Sequence, residues 1–200
     1  MTGADDERAG ETPGERRAPR WRLFVAADVD DAARAACAGV AERLRAHRFD
    51  ARWVAPENYH LTVAFIGAVE QELVGAVRDA VREAAARVPP FGVPLDAVGA
   101  FPNERRARIA WVGSGQPLPP FEALCAVVRG ALAVLGFTFD RHADPHVTLA
   151  RADGRAALPP VAPPRIEPVR IGALTLYRSF TERGGARYTP VDRFALQTGE

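Results

Sequence analysis

The chain has 200 residues, of which 48% are hydrophobic and 26% charged, a composition that predicts a globular protein with a true core and excludes a disordered or fibrous chain. Its formal net charge of +1 argues against a protein that coats long nucleic-acid duplexes, because such proteins usually carry a strong basic excess. No apolar run approaches the roughly 18 residues of a membrane span, and the first residues lack the apolar stretch of a secretory signal, so we expect a cytoplasmic protein that enters no membrane.

Residues 1–20 contain almost no large apolar side chain and are predicted to form a disordered tail ahead of the fold. Beyond them, the first half of the chain alternates between strand-like and helix-like patterns. In chain order these patterns predict a strand over Trp21–Ala27, a helix over Asp30–His47, a strand over His60–Ile66 that ends at Gly67, a helix over Glu70–Val88, and strands near Gly92–Val98 and Ala107–Gly113. Residues 102–106 are predicted to form the hairpin tip between the last two strands.

The second half of the chain repeats this order in a reduced form. The patterns predict a helix over Phe121–Leu135, a strand over His146–Arg151, and closing strands over Ile166–Tyr177 and Arg187–Leu196, joined through Gly184 and Gly185. A proline-rich loop over residues 159–164 stands where the first half has its second helix. Strands and helices that interleave without repeated parallel crossovers indicate an α+β fold with mostly antiparallel sheets, built as two lobes with a cleft between them.

The two cysteines, Cys37 and Cys125, both fall within predicted helices. Two cysteines in a chain of this length do not predict a disulfide framework, and no closely spaced Cys/His pair predicts a zinc site. We therefore expect two buried or half-buried thiols of a reducing compartment.

One five-residue pattern occurs twice. His60-Leu61-Thr62-Val63-Ala64 and His146-Val147-Thr148-Leu149-Ala150 share the order histidine, aliphatic, threonine, aliphatic, alanine, and lie 86 residues apart. A lone His-x-Thr in a strand would ordinarily be a half-exposed polar face. The chain has only four histidines, however, so chance is a poor explanation for two of them in matched frames. The duplication predicts two strands placed around an internal twofold axis, so that the two His/Thr pairs face one another.

Alternation along a strand gives the pattern a meaning, because neighbouring side chains point to opposite faces of a sheet. The cleft-facing set is then predicted to be His60, Thr62 and Ala64 in the first copy and His146, Thr148 and Ala150 in the second. The core-facing set is predicted to be Leu61, Val63 and Phe65 in the first copy and Val147 and Leu149 in the second.

Two imidazoles and two hydroxyls form a complete set for opening a strained cyclic phosphodiester without a metal. A neutral histidine accepts a proton from water, and a protonated one gives a proton to the leaving oxygen. Threonine hydroxyls donate to phosphoryl oxygens as negative charge builds on them. The sequence has no carboxylate cluster for a two-metal site and no evident third ligand beside the two histidines, so neither a metal nor another cofactor is expected.

At these residues the chain resembles the 2H phosphoesterase superfamily, and within it the RNA 2′,3′-cyclic phosphodiesterases, also called 2′-5′ RNA ligases. The resemblance rests on both His-x-Thr motifs and on their surroundings. The matching segments are Arg22–Ala26, Arg52–Gly67, Gly99–Pro102, Pro145–Arg151, Leu176–Tyr177 and Gly185–Tyr188. The likeness extends from about Trp21 to Leu196 and does not include the tail.

The resemblance implies a bilobal duplicated fold in which residues 21–200 form a single domain, each lobe an antiparallel sheet flanked by helices, with the active site in a central cleft. It also implies hydrolysis of a terminal 2′,3′-cyclic phosphate on RNA to a 2′-phosphate, and reversible 2′-5′ ligation through the same transition state. Carried over by motif, His60 would protonate the departing O3′ and His146 would activate water. Thr62 and Thr148 would hold the phosphate oxygens.

Two roles are open for Arg151, which directly follows the second motif. It could add positive charge at the phosphate, or it could be a solvated arginine at the end of a strand. Strict alternation places it on the opposite face from His146 unless the strand bulges or ends there.

Other polar and aromatic residues are interpreted structurally. The hairpin carries three arginines, Arg105, Arg106 and Arg108. We expect their side chains to be solvated, with contact to an RNA backbone as the alternative. Trp53 and Phe101 are interpreted as core or lobe-packing residues, with stacking on a terminal base as the alternative. His47 and His142 are not followed by threonine and are given no catalytic role.

Three functional hypotheses are consistent with this sequence. The first is the RNA-end phosphodiesterase, for which tRNA fragments are one candidate substrate, acting as a monomer because the chain carries its own internal twofold. The second is an enzyme of the same superfamily that acts on another cyclic phosphate or on a 2′-5′ linkage. The third is a non-catalytic module that binds RNA ends, against which the histidine pair argues, because arginine or lysine would serve binding better.

Overall fold

The computed structural model describes residues 19–139, 144–182 and 185–197, and these ranges contain three α-helices and ten β-strands. The helices are α1 (Asp31–Ala46), α2 (Val74–Ala85) and α3 (Pro119–Ala133). The strands are β1 (Arg20–Asp28), β2 (Arg52–Trp53), β3 (His60–Glu70), β4 (Phe91–Val93), β5 (Ala97–Phe101), β6 (Ile109–Gly113), β7 (His146–Arg151), β8 (Val169–Ile171), β9 (Ala173–Glu182) and β10 (Gly185–Ala195). The three predicted helices are all present, and both motifs lie on strands.

Eight of the strands form one antiparallel sheet in the order β10-β9-β1-β3-β7-β6-β5, with β2 paired to the end of β7. β4 and β8 form a separate antiparallel ribbon. The two halves of the large sheet, β10-β9-β1-β3 and β7-β6-β5, meet at a single residue pair, Leu61 with Val147, in the part of the chain that the structure describes. The predicted α+β class with antiparallel sheets is confirmed. The assignment of residues 21–200 to a single domain stays a prediction.

All three helices share one hydrophobic core with the inward-facing side chains of the central strands. Along β1, Leu23, Val25 and Ala27 have no exposed surface. Full burial of one large aliphatic side chain stabilises the fold by about 1.5–3 kcal/mol, so the core anchors the strands that carry the motifs. Cys37 and Cys125 lie in this core as free thiols, as predicted.

Two predicted strand bounds are wrong, one at a glycine that continues a strand and one at a proline that divides a strand. β3 does not end at Gly67 but continues to Glu70, since Ile66 forms a bulge against β1 and Gly67 takes a φ of +85°, which glycine tolerates. The strand predicted over Gly92–Val98 is instead β4 and β5, separated around Pro94, which has no N–H to donate to a ladder.

The remaining differences concern the ends of elements. The helix predicted over Glu70–Val88 begins only at Val74, after a 3-10 turn over Gln71–Leu73. The strand predicted over Ile166–Tyr177 is two strands, β8 and β9. Residues 1–18 of the predicted tail and the predicted Gly184 joint lie outside the described residues, while Arg20 already belongs to β1. None of the helices in the described ranges is long and apolar enough to cross a membrane.

Candidate active site

The two motifs lie side by side at the centre of the sheet. Leu61 of β3 pairs with Val147 of β7 in the antiparallel direction, and both side chains are fully buried in the core. This register sets His60 across from Thr148, and Thr62 across from His146, on the sheet face away from the core. The duplicated sequence pattern is thus expressed as a local twofold arrangement of two His/Thr pairs.

Both motif strands contain a β-bulge at the same motif position. Val63 is the extra residue of β3 opposite β1, and Leu149 is the extra residue of β7 opposite β6. In each motif the bulged residue and the alanine after it are both fully buried. A bulge of one residue reverses the alternation of every side chain that follows it.

The bulges change which residues reach the cleft. Ala64 and Ala150 were predicted to line it and instead face the core, because each follows an extra residue. Phe65 was predicted to face the core and is instead 49% exposed on the His/Thr face. Arg151 returns to that face in the same way, so the obstacle to its contacting a phosphate is removed.

A first cavity of about 470 Å³ lies over the junction of the two motifs. Its lining includes four of the five predicted site residues, His60, Thr62, Thr148 and Arg151. The fifth, His146, lines a second cavity of about 280 Å³ together with Phe101 and Trp111. The second motif therefore lies at the border of both cavities, with its threonine in one and its histidine in the other.

The same backbone contact orients both histidines. His60 Nδ1 donates to the carbonyl oxygen of Asn58 at 2.7 Å, and His146 Nδ1 donates to the carbonyl oxygen of Asp144 at 2.8 Å. A proton held on Nδ1 leaves Nε2 as the nitrogen that exchanges protons. His60 Nε2 lies 3.1 Å from the Thr62 hydroxyl oxygen, beside the first cavity.

Burial lowers the pKa of both histidines from the ordinary 6.5, because it penalises the charged ring. The two backbone hydrogen bonds act in the opposite direction and raise each pKa. Around His60, the Asp28 carboxylate raises the pKa, whereas His146 and Arg151 lower it. The two rings therefore influence each other, and a proton on one disfavours a proton on the other.

A carboxylate that the sequence analysis missed lies beside the first histidine. Asp28 ends β1 directly opposite His60, and it accepts hydrogen bonds from the Thr175 hydroxyl at 2.8 Å and the Tyr177 hydroxyl at 2.6 Å. Thr175 is almost completely buried, so this contact holds the carboxylate in place. Nothing in the local sequence marks Asp28, because both donors lie more than a hundred residues further along the chain.

The aromatic residue after the first motif was also missed as a site residue. Phe65 lines the first cavity, and the guanidinium carbon of Arg22 lies 4.7 Å from the centre of its ring. Arg22 lines the same cavity. The first cavity thus combines an exposed ring and two arginines with His60 and the two motif threonines.

The structure also places the other residues that were considered from the sequence. Trp53 packs against the core beneath Arg45, as predicted, with 4.6 Å between the guanidinium carbon and the ring centre. Phe101 is half-buried and does not lie in the core; its ring centre lies 5.0 Å from the centre of the His146 ring.

The other two histidines lie away from the motifs or cannot be described. His47 is exposed at the end of α1, and His142 lies outside the described residues. The hairpin arginines are exposed, as predicted; they are Arg105, Arg106 and Arg108.

Comparison with known proteins agrees with this geometry. Residues 28–111 match the family model of LigT-like phosphoesterases. A curated RNA 2′,3′-cyclic phosphodiesterase of Escherichia coli is 36% identical over 147 residues, which are 72% of this chain and 80% of that protein. The chain belongs to the LigT-like phosphoesterases. Another curated RNA 2′,3′-cyclic phosphodiesterase, from Methanothermobacter thermautotrophicus, is 27% identical to this phosphoesterase over 182 residues, 88% of this chain and 98% of that protein.

Solved structures give the same result for the fold. The crystal structure of E. coli LigT complexed with 3′-AMP is similar to this phosphoesterase with a TM-score of 0.74 and 32% identity, covering 90% of this chain and all of that chain. The crystal structure of TT0787 from Thermus thermophilus has a TM-score of 0.78 and 27% identity over the same shares. The resemblance to the 2H phosphoesterases is confirmed, and so is the α+β fold with antiparallel sheets that it implied.

The position of His146 in this phosphoesterase depends on Gly113, its partner on β6. A Cβ at Gly113 would lie 2.3 Å from the carbonyl oxygen of Pro145 and 3.0 Å from the Cα of His146. Because backbone atoms cannot move aside cheaply, Gly113→Ala is expected to displace His146, to reduce phosphodiesterase turnover and to lower the free energy of unfolding by about 1–3 kcal/mol. Thermal unfolding and turnover of the purified variant measure both effects.

The control for this variant is Gly130→Ala on α3, where an added Cβ meets nothing within 4 Å. That substitution should keep full turnover and raise the free energy of unfolding by about 0.5–1 kcal/mol, since alanine favours a helix interior. If Gly113→Ala behaved like this control, β6 would not be what holds His146.

Proposed function

We propose that this phosphoesterase hydrolyses the 2′,3′-cyclic phosphate at the end of an RNA and leaves a 2′-phosphate. The observation that carries the proposal is the pair of His/Thr motifs on adjacent strands, with Arg151 lining the same cavity as Thr62 and Thr148. The substrate class is supported by the relatives that bear the name RNA 2′,3′-cyclic phosphodiesterase. A single terminal phosphate also suits a chain whose net charge is only +1.

In this proposal the cyclic phosphate binds between the two motifs. The hydroxyls of Thr62 and Thr148 donate to its non-bridging oxygens, where charge builds as the phosphorus becomes five-coordinate. The Arg151 guanidinium adds positive charge at the same oxygens, and its position after the bulge makes this contact possible. The alternative of a purely solvated Arg151 is not favoured, because its side chain lines the cavity.

The two histidines then work on opposite sides of the phosphorus atom. Nε2 of His146 takes a proton from water as the water oxygen bonds to phosphorus. Nε2 of His60 gives its proton to O3′ as the P–O3′ bond breaks, and the ester at O2′ stays intact. In-line displacement needs the base and the acid on opposite sides, and the diagonal positions of His60 and His146 in the antiparallel register of β3 and β7 support this assignment.

The terminal nucleoside would occupy the rest of the first cavity. The exposed face of Phe65, flanked by Arg22, offers a stacking surface for a base next to the bound phosphate. Stacking of this kind tolerates any base, so we expect weak sequence preference at the last nucleotide. Both motifs come from one chain, so we expect the enzyme to act as a monomer.

We expect the reaction to proceed without a metal. In the described ranges, no group of three or more His, Cys, Asp or Glu side chains is arranged to hold a metal ion. An assay with a short RNA ending in a 2′,3′-cyclic phosphate, in excess EDTA, tests both the reaction and this expectation. Mass and phosphate position identify the product, which should be a 2′-phosphate formed at the same rate as without EDTA.

Each other outcome of that assay rejects part of the proposal. Loss of turnover in EDTA that returns with one added divalent metal would reject metal independence. A 3′-phosphate product would reject the assignment of O3′ as the leaving oxygen. No turnover of the RNA, together with turnover of another cyclic phosphodiester, would indicate an enzyme of the same superfamily with a different cyclic phosphate as its substrate.

A further inference from the structure

The second cavity has no part in the hydrolysis described above, although it touches a catalytic side chain. It is lined by His146, whereas Thr148, two residues along the same strand, lines the first cavity. Its volume of about 280 Å³ is below the usual range for a drug-sized ligand and suits one small flat molecule. A ligand in this cavity would lie beside the imidazole that faces the attacking oxygen.

Two aromatic rings form a wall of the second cavity. Phe101 stands edge-on to the His146 ring at 5.0 Å between centres, and Trp111 lies 5.5 Å from Phe101 at an angle of 31°. Trp111 is held flat against β5, since a Cβ at Gly99 would lie only 2.4 Å from its Cζ2 atom. Half-buried aromatic rings of this kind are suited to stacking on a nucleobase.

The charges of the second cavity differ from those of the first. Its described lining includes two carboxylates, Glu122 and Asp144, and no arginine. The first cavity includes Arg22 and Arg151 and no carboxylate among its described lining residues. A phosphate would therefore bind in the first cavity and be repelled from the second, where a neutral nucleoside with N–H donors would fit.

In-line displacement connects this cavity to a second reaction. The oxygen that attacks phosphorus must approach from the side opposite the leaving O3′, which is the side of His146 in the proposed mechanism. When that oxygen is the 5′-hydroxyl of another RNA end instead of water, its ribose and base must lie on the same side, beyond His146. The second cavity borders His146 and offers an aromatic wall, and its described lining holds no arginine or lysine.

We propose that the second cavity binds the nucleoside that carries the 5′-oxygen in 2′-5′ ligation and in the reverse cleavage of a 2′-5′ linkage. This inference rests on the proposed function, because it uses the same roles for His60 and His146. In ligation, the O5′–P bond forms as His146 takes the proton of the 5′-hydroxyl, and the P–O3′ bond breaks as His60 protonates O3′. In cleavage, His60 takes the O3′ proton, the P–O3′ bond forms, and His146 protonates the departing O5′.

The test compares two substrates with the same enzyme. An RNA ending in a 2′,3′-cyclic phosphate has no downstream nucleoside, whereas a 2′-5′-linked dinucleoside monophosphate has one. Phe101→Leu and Trp111→Leu are expected to lower kcat/KM for cleavage of the 2′-5′ linkage at least about fivefold more than kcat/KM for hydrolysis of the cyclic phosphate. The ratio of the two values cancels any shared effect of the substitutions on His146.

The matched control is Phe65→Leu in the first cavity. Both substrates place their upstream nucleoside there, so this variant should lower both values together and leave the ratio unchanged. A second measurement needs no variant: a 2′-5′ substrate whose downstream residue is abasic should be cleaved at least about fivefold more slowly than one with the base present.

The outcomes separate this inference from the function on which it rests. An unchanged ratio in both second-cavity variants, or equal cleavage of abasic and complete substrates, would overturn the subsite. Wild-type enzyme that hydrolyses cyclic phosphates but neither makes nor cleaves 2′-5′ linkages would also overturn it and leave the proposed function standing. Absence of cyclic phosphate hydrolysis in the wild type would instead reject the proposed function itself.

Discussion

Replacing either motif histidine, as His60→Ala or His146→Ala, is expected to lower kcat for hydrolysis of a terminal 2′,3′-cyclic phosphate by about 100-fold or more, the usual scale of acid–base catalysis. His60→Ala removes the proton donor for O3′, and His146→Ala removes the base that activates water. The double variant should be little worse than either single one, because the two groups act in one step. Single-turnover assays with the RNA substrate give the chemical rate directly.

The matched control is His47→Ala, since His47 is exposed at the end of α1 and lines neither cavity. It should retain full turnover. Affinity for a 2′-phosphorylated RNA distinguishes loss of chemistry from loss of folding, because the catalytic variants keep Thr62, Thr148 and Arg151 and should still bind. A decrease of less than tenfold in kcat for both catalytic variants would favour a different mechanism, and wild-type binding without any turnover would favour the RNA-end binding module.

The sequence was sufficient to predict the strands that carry this site, for a physical reason. In each motif a histidine and a threonine alternate with large aliphatic residues, and that period places one side in the core and the other in a cleft. The duplication further predicted that the two strands lie around a twofold axis, which a single motif could not indicate. The structure agrees on both points, with Leu61 and Val147 buried and directly paired.

The residues just beyond the motifs could not be placed by the same rule. Alternation assumes a regular ladder, and the bulges at Val63 and Leu149 depend on the neighbouring strands β1 and β6, which are remote in sequence. One extra residue in each strand moved Phe65 and Arg151 to the cleft. The repetition of alanine after the bulged residue, Ala64 and Ala150, is the one trace of this feature in the sequence.

Asp28 illustrates the other limit of sequence analysis, since its role follows from contacts across the sheet. Its carboxylate is held by donors on β9, and β9 pairs with β1 only in the folded chain. No local pattern could connect it with His60. The second cavity is similar, because Phe101, Trp111 and His146 come from three different strands.

The lowered pKa values of the two histidines lead to a prediction for the pH dependence of hydrolysis. His60 must be protonated to serve as the acid, so activity is lost as pH rises through its pKa. His146 must be neutral to serve as the base, so activity is lost as pH falls through its pKa. Burial lowers both pKa values from 6.5, so kcat/KM should be bell-shaped with its optimum below that pH, falling about tenfold per pH unit on each side.

Asp28→Asn tests the assignment of the two limbs. Removing the carboxylate charge takes away an influence that raises the pKa of His60, so the alkaline limb should move to lower pH. The acid limb, set by His146, should stay in place, because Asp28 is not among the charges that shift the pKa of His146. Asp192→Asn is the control, since its carboxylate pairs with Arg78 and does not act on His60. A profile that stays flat between about pH 5 and 8 would exclude paired-histidine catalysis, and a shift of the acid limb alone in Asp28→Asn would mean that His60 is the base and His146 the acid.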